Sequence, residues 1–320
     1  MLSFLFALIL APAFAAPTSA CSGVGGVVTE VRFQADLNCD LARELSEIFN
    51  GMAQRFGEAP SVRLLVGVSS DNASFDNGSV VQVPVQLVFS GTYGREHSVP
   101  AASLYAAAAH EYGHAIFHEK VRRHFPQYKD LFAGLAEISD LKWRAEQSVE
   151  SLRARYSELM ENESYQSFMR HLTAYAEFYA DTVTVFYFND KSAMFKALYY
   201  GAMTDFQYQY VRMRDFDSEV SVQWEHLLYE DHAKLAYARS YVGKNLWPQD
   251  ATQVSRFANL IAQEVLRTLG HDIIQQEPTD YLSANEELIR NLSLYISAGH
   301  SRFSWILRTQ DSVLVDGTTL

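Results

Sequence analysis

Residues 106–119 read AAAAHEYGHAIFHE, and this stretch determines how the rest of the chain is interpreted. On an α-helix His110 and His114 lie one turn apart, so both imidazoles can point at one metal ion. Glu111 lies about 100° further round the helix, where its carboxylate can reach a water on that ion. Zinc lowers the pKa of such a water, and the glutamate can take its proton. The stretch therefore predicts a zinc site with a general base beside it.

His118 follows at the same interval, but we expect it to lie outside the site. If the helix continues, His118 lies eight residues beyond His110, about 12 Å along the axis, so one ion cannot contact both. A third histidine can instead follow a glycine that breaks the helix. In this chain the glycine position of that pattern is Phe117 and the position of its last histidine is Lys120, so the pattern is excluded.

The stretch HLTAYAEFYADTVTVF (171–186) is the best source of a third ligand. Glu177 and Asp181 lie four residues apart among large apolar side chains, so both carboxylates share one helical face. Burying two charges there is costly unless they are paired or bind a cation. We expect Glu177 to ligate zinc and Asp181 to accept the free N–H of a zinc-bound histidine. Gly113, beside the two histidines, leaves room for another element to approach. The alternative is a polar stripe that faces solvent.

HEYGH (110–114) followed by EFYAD (177–181) resembles the gluzincin metallopeptidases, whose pattern is H-E-x-x-H … E-x-x-A-D. The spacing is most similar to the zinc endopeptidases related to the CAAX prenyl protease and the heat-shock protease HtpX, over residues 80–240. This resemblance implies a zincin-like fold and the hydrolysis of peptide bonds. It also implies site roles: zinc ligation by His110, His114 and Glu177, base catalysis by Glu111, and support of the ligands by Asp181.

In that family a histidine and then an arginine follow the E-x-x-A-D helix and act on the oxyanion of the transition state. The resemblance assigns these roles to His232 and Arg239, in YEDHAKLAYARSYVG (229–243). The family's proline after the histidine is Ala233 here, and the interval to the arginine is one residue longer. The alternative oxyanion donors are His171, His226, Tyr229 and Tyr237.

Residues 1–20 have the composition of a secretory signal peptide. Leu2 to Phe14 is almost wholly apolar but too short to span a bilayer, and Ala13-Phe14-Ala15 matches a small-residue cleavage site. No later stretch offers about 18 uninterrupted apolar residues, so we expect no transmembrane segment in the mature chain. These features predict a secreted or periplasmic protein.

The chain has two cysteines, Cys21 and Cys39. In an exported protein we expect a disulfide between them that ties down the N-terminal segment. Alternatively, Cys21 carries a lipid anchor after cleavage, because Ser19-Ala20-Cys21 has the small residues of a bacterial lipobox.

Strands followed by helices predict an α+β fold that is predominantly helical with a small N-terminal sheet. Apolar spacing predicts helices over 40–56 (with Asp40 as N-cap), 131–160, 165–188, 250–269 and 279–297. The predicted strands are Val62 to Val66 and 79–91, and Pro84 places the second at a sheet edge or a bulge. We expect a zincin-like catalytic domain over 21–248 and a helical C-terminal subdomain over 249–320.

Together these features predict a zinc-dependent endopeptidase acting on exported or cell-envelope proteins, with an extended substrate paired to strand 79–91. The formal net charge of −12 argues against a nucleic-acid partner. Two alternatives remain: a non-catalytic zinc-fold binding or scaffold protein, and a zinc hydrolase of a non-peptide amide. The presence of Glu111 argues against the first, because a structural zinc site needs no base.

Overall fold

The computed structural model describes residues 21–297, except 35–36, 71, 91–95, 146, 202–203, 222–225, 227 and 276–280. The predicted signal peptide therefore lies outside the described residues. The described chain is predominantly helical with a small N-terminal sheet, which confirms the α+β class. The strands are β1 (Val28–Phe33), β2 (Val62–Val66), β3 (Ser74–Phe75), β4 (Val80–Val83), β5 (Val88–Ser90) and β6 (Glu96–Ser98). The helices are α1 (Cys39–Phe56), α2 (Ala101–His124), α3 (Lys129–Arg144), α4 (Val149–Leu159), α5 (Glu163–Phe188), α6 (Ala193–Tyr199), α7 (Asp205–Arg212), α8 (Ala236–Asn245), α9 (Ala251–Gln275) and α10 (Tyr281–Ser297).

The main sheet has the strand order β1-β2-β4-β3, in which β1, β2 and β4 are parallel and β3 is antiparallel to β4. The predicted strand Val62 to Val66 is confirmed as β2. Its neighbours are β1 and β4, and its side chains are mostly buried, as expected for a central strand of a parallel sheet. Two-residue β3 forms one edge of the sheet and packs against α2.

The prediction of a single strand over 79–91 is wrong. β4 ends at Val83, immediately before Pro84, because proline has no N–H to continue the ladder. The chain then enters β5, which pairs antiparallel with β6 in a separate two-stranded sheet. β4 is an interior strand of the main sheet, whose edges are β1 and β3.

Helix α1 confirms the helix predicted over 40–56, but the predicted cap is wrong. Asn38 caps it, because its side-chain Oδ1 accepts a hydrogen bond from the Leu41 N–H at 3.0 Å. Asp40 lies in the first turn, where its negative charge faces the positive end of the helix dipole. The helix ends at Gly57, whose φ of 71° is the left-handed conformation that glycine adopts readily.

The helix predicted over 131–160 is two helices, α3 and α4. The chain leaves the first at Ala145, whose φ of 55° is left-handed. The second begins after Ser148, whose side chain accepts a hydrogen bond from the Ser151 N–H at 3.2 Å. This serine cap supplies the N-terminus that apolar spacing alone did not indicate.

Helices α2 and α5 cross in close contact at the centre of the core. A Cβ atom on Gly113 would lie 2.9 Å from the Ala180 Cα, so only glycine allows this approach. The expectation that Gly113 leaves room for another element is therefore confirmed, and that element is α5. α5 runs from Glu163 to Phe188, as the prediction over 165–188 indicated, and Asn162 caps its N-terminus.

The last two helices, α9 and α10, extend the patterns predicted over 250–269 and 279–297. α9 packs against α1 and α5, and α10 packs against α8 and α9. Buried residues from Val254 to Leu292 belong to the same apolar cluster as the sheet and α2. The proposed boundary between 21–248 and 249–320 stays a prediction.

Cys21 and Cys39 form a disulfide with their Cα atoms 5.3 Å apart, so the Cys21 sulfur is bonded to Cys39 in this structure. The bond joins the segment before β1 to the first residue of α1. Within the described part of the chain, no helix combines the length and the apolar character needed to cross a membrane.

Candidate metal centre

Among the residues that the structure describes, one group of side chains can hold a metal ion: His110, His114 and Glu177. α2 supplies the histidines one turn apart, and α5 supplies the glutamate across the close contact at Gly113. His110 Nε2 lies 3.0 Å from His114 Nε2 and 3.2 Å from Glu177 Oε2. His114 Nε2 lies 3.4 Å from Glu177 Oε1. All three side chains are buried.

These separations fit a tetrahedral zinc site. Ligand atoms about 2.0–2.1 Å from zinc, at tetrahedral angles, lie about 3.3 Å from one another. The two histidine nitrogens lie 3.0 Å apart, and each has a Glu177 oxygen at a similar distance, Oε2 at 3.2 Å from His110 and Oε1 at 3.4 Å from His114. In addition, Glu177 Oε2 is buried and has no hydrogen-bond partner. Buried polar atoms normally have a partner, and a bound ion would be the partner of this oxygen. Two imidazole nitrogens and one carboxylate oxygen are a donor set that suits zinc.

Asp181 lies behind His110, on the side away from the other two ligands. Its Oδ1 is 2.9 Å from His110 Nδ1, so Nδ1–H donates to the carboxylate and Nε2 faces Glu177. Burial and the Arg214 charge both act to lower the pKa of His110, but its bonds to Asp181 and Glu177 outweigh them and raise it to about 9. Burial likewise acts to raise the pKa of Asp181, but Arg214 and Arg239 hold it well below its usual range.

Two guanidinium groups converge on Asp181. Arg214 Nη2 lies 2.5 Å from Oδ1 and Nε lies 3.1 Å from Oδ2, a two-point contact. Arg239 Nε lies 2.8 Å from Oδ2, and its side chain is wholly buried beside the Phe178 ring. Arg239, predicted to act on an oxyanion, is thus placed against Asp181. Arg214 Nη2 also lies 3.3 Å from both ring nitrogens of His110 and 3.6 Å from Glu177 Oε2.

Glu111 stands between the α2 histidines and the edge strand β3. Its carboxylate accepts a hydrogen bond from the backbone of Phe75. Burial raises the pKa of Glu111, although the charges of His110 and His114 oppose this rise. A raised pKa suits a group that accepts and returns a proton near neutral pH.

His232 lies in the turn that precedes α8 and reaches the third ligand. Its Nε2 is 3.4 Å from Glu177 Oε1. On its other side, Nδ1 lies 3.2 Å from Glu230 Oε2, which also accepts the His232 backbone N–H at 3.0 Å. Tyr210 donates to the same Glu230 carboxylate. With 29% of its side chain exposed, His232 is both at the site and open to the solvent.

The third histidine of α2, His118, lies away from the cluster, in agreement with its position along the helix. Its ring packs edge-on against Phe75 and Phe132, with centroids 5.6 and 5.8 Å away. Burial, with a smaller effect of His114, lowers its pKa to about 3. His118 is therefore a neutral core residue.

The described contacts of the alternative oxyanion donors are with groups other than the three candidate ligands. His171 Nδ1 contacts the Ser167 carbonyl within α5 at 2.7 Å. His226 is exposed beside Phe206, and Tyr229 has 82% of its surface exposed. Tyr237 packs against a small apolar cluster that is separate from the main core.

Sequence reasoning missed Arg214 and Tyr210. Both contact the site from α7 or the residues that follow it, a stretch with no metal-binding or catalytic motif. The available signal was indirect: Asp181, on an apolar helix, needs a cationic partner. The sequence around each arginine does not indicate which one supplies this partner.

No family model, curated protein or solved structure matches the chain. The inference of function therefore rests on the site and on the sequence pattern that predicts it.

Proposed function

We propose that the protein is a zinc-dependent endopeptidase. The observation that carries the proposal is the meeting of His110, His114 and Glu177 within 4.8 Å of one another, with Glu111 on the same helix as the two histidines. A purely structural zinc site is normally closed by four protein ligands, whereas the described ligand group has three. The proposal includes a zincin-like fold of the gluzincin type, similar to the CAAX prenyl protease and HtpX group.

A zinc ion held by these three residues would supply Lewis acidity, polarising a carbonyl and lowering the pKa of water. Glu111 accepts the proton of the attacking water as the oxygen–carbon bond forms. It then donates that proton to the amine nitrogen as the carbon–nitrogen bond breaks. Its contact with the Phe75 backbone holds the carboxylate between the ligands and the edge strand.

His232 is the proposed donor to the oxyanion. Glu230 accepts a hydrogen bond from Nδ1 of His232, which orients Nε2 toward the ligand cluster. A donor fixed before the reaction costs no reorganisation when the negative charge develops. Arg239 contributes through Asp181, as a residue that positions His110.

The proposed substrate is an extended peptide of an exported or cell-envelope protein. The edge strand β3 replaces the predicted strand 79–91 as the element that pairs with it. β3 lies at the sheet edge, and its Phe75 backbone contacts Glu111, so a peptide added there would pass the base. A secreted or periplasmic location follows from the predicted signal peptide and belongs to the same proposal.

Metal content and casein cleavage test this function together. The purified protein should contain one equivalent of zinc and cleave an unstructured substrate such as casein. Removal of zinc with a chelator should abolish cleavage, and one equivalent of added zinc should restore it. A protein that binds zinc stoichiometrically but leaves casein and a peptide library intact would support the non-catalytic alternative.

A further inference from the structure

The metal centre contains two buried carboxylates whose negative charge must be balanced when no ion is bound. Glu177 is 5% exposed and Asp181 is fully buried. An uncompensated buried carboxylate is costly, because low-polarity surroundings disfavour the charged form. Arg214, itself 5% exposed, is the guanidinium that contacts both, at 2.5 Å from Asp181 and 3.6 Å from Glu177.

We infer that Arg214 balances the negative charge of Glu177 and Asp181 in the metal-free protein, a role that the charge of the ion takes over when zinc binds. This inference rests on the proposed metal site. Arg239 is less suited to the role, because its described contacts are with Asp181 and the Phe178 ring. Arg214 Nη2 instead lies among His110, Glu177 and Asp181, 2.5–3.6 Å from an atom of each.

The chain fixes Arg214 through the backbone around it. Its N–H donates to the Val211 carbonyl at 3.1 Å, and the Phe216 N–H donates to the Lys191 carbonyl at 3.1 Å. A Cβ atom on Gly243 would lie 1.7 Å from the Phe216 carbonyl oxygen, so α8 runs directly against this segment. The backbone that carries Arg214 is therefore held by hydrogen bonds and by the close contact with α8.

The role predicts an unequal effect of removing the charge. Without Arg214 the metal-free protein loses the guanidinium that contacts both carboxylates, and Arg239 remains only at Asp181, whereas the metal-bound protein keeps the charge of the ion. The metal-free form should therefore be destabilised more, and zinc should raise the melting temperature by a larger amount. A residue that only fills space would destabilise both forms equally.

The test compares melting temperatures with chelator and with excess zinc for wild type, Arg214→Met and Arg214→Lys. We expect the zinc-induced rise in Tm to be larger in Arg214→Met by about 3 °C or more, and near the wild-type value in Arg214→Lys. Arg63→Met is the matched control, since Arg63 pairs with Asp140 at 2.7 Å outside the centre and its loss should leave the zinc-induced rise unchanged.

An equal or smaller rise in Arg214→Met would overturn the inference, and so would a rise in Arg214→Lys as large as that of the methionine variant. If Arg214→Met folds only when zinc is present, the inference is supported. If it stays unfolded in saturating zinc, the role is structural and the inference is wrong. A wild-type Tm that does not respond to zinc would instead contradict the metal site itself.

Discussion

The Nδ1 atom of His110 lies 2.9 Å from Oδ1 of Asp181, and this contact turns the other nitrogen of the ring toward Glu177 and His114. Carboxylates in this position fix the tautomer of a metal-binding histidine and increase its basicity. The pair thus connects the ligand cluster to the two arginines behind it.

The first prediction concerns this carboxylate. Asp181→Ala should lower zinc affinity or activity by roughly 10–100-fold, because His110 loses the acceptor that orients it. Competition with a chromophoric chelator measures the affinity. Asp272→Ala removes another carboxylate, which accepts the Tyr175 hydroxyl at 2.6 Å, and serves as the control. Equal zinc affinity in the two variants would contradict the assigned role of Asp181.

The second prediction separates the third ligand from the third histidine of α2. Glu177→Ala should lower zinc affinity by more than the roughly 10–100-fold expected for Asp181→Ala, because it removes a ligand. His118→Ala should change zinc affinity little, since the His118 ring packs against Phe75 and Phe132. Metal titration of both variants decides the matter. The reverse ranking would contradict the ligand set.

The third prediction follows from the lowered pKa of His118. Burial lowers this pKa to about 3, whereas an unfolded histidine titrates near 6.5. Between these values only the unfolded chain takes up the proton, so the stability contribution is lost as the pH falls below about 6.5. The slope is up to roughly 1.4 kcal/mol per pH unit.

Urea unfolding at pH 7 and pH 5 measures this effect. The loss of unfolding free energy between the two should be smaller in His118→Gln, which cannot titrate, by roughly 1–2 kcal/mol. His124→Gln, on the exposed side of the same helix, should leave the loss at its wild-type value. An unchanged loss in His118→Gln would show that His118 is not a buried neutral histidine.

The fourth prediction concerns His232. Its replacement by phenylalanine should lower kcat by about 10²–10³-fold, the usual effect of removing one oxyanion donor. KM should rise less, because the contact strengthens only in the transition state, and bound zinc should stay unchanged. The same substitution at His171 and at His226 provides the comparison. If either of those variants loses activity while His232→Phe keeps it, the donor is the other histidine.

Much of the fold was predictable because its signals are local. The apolar spacing of α1 and α5 and the β-branched and leucine run of β2 lie within single elements. The candidate metal group of His110, His114 and Glu177 was predictable for the same reason, since the two histidines share one helix and the signal for Glu177 lies within another.

The sequence predictions failed where contacts between residues far apart in the chain determine the structure. Ala145 adopts a φ of 55° although alanine favours helices, so the break between α3 and α4 is not a matter of local propensity. Arg214 contacts Asp181 across 33 positions of sequence, and no local pattern indicates that contact. The edge position of β3 depends on the strand order, which two residues of sequence cannot specify.

Glu111→Gln tests the central claim most directly. Glutamine has nearly the same shape but cannot accept the proton, so the variant should keep its zinc and its melting temperature while hydrolysis falls by several orders of magnitude. The measurement is kcat for a casein-derived peptide beside the zinc content of the same sample. The control is Glu119→Gln, at a partly buried glutamate of α2 that pairs with Arg122 and Arg123. Cleavage by Glu111→Gln at a near-normal rate, with zinc bound, would contradict the assignment of Glu111 as the general base and with it the proposed mechanism.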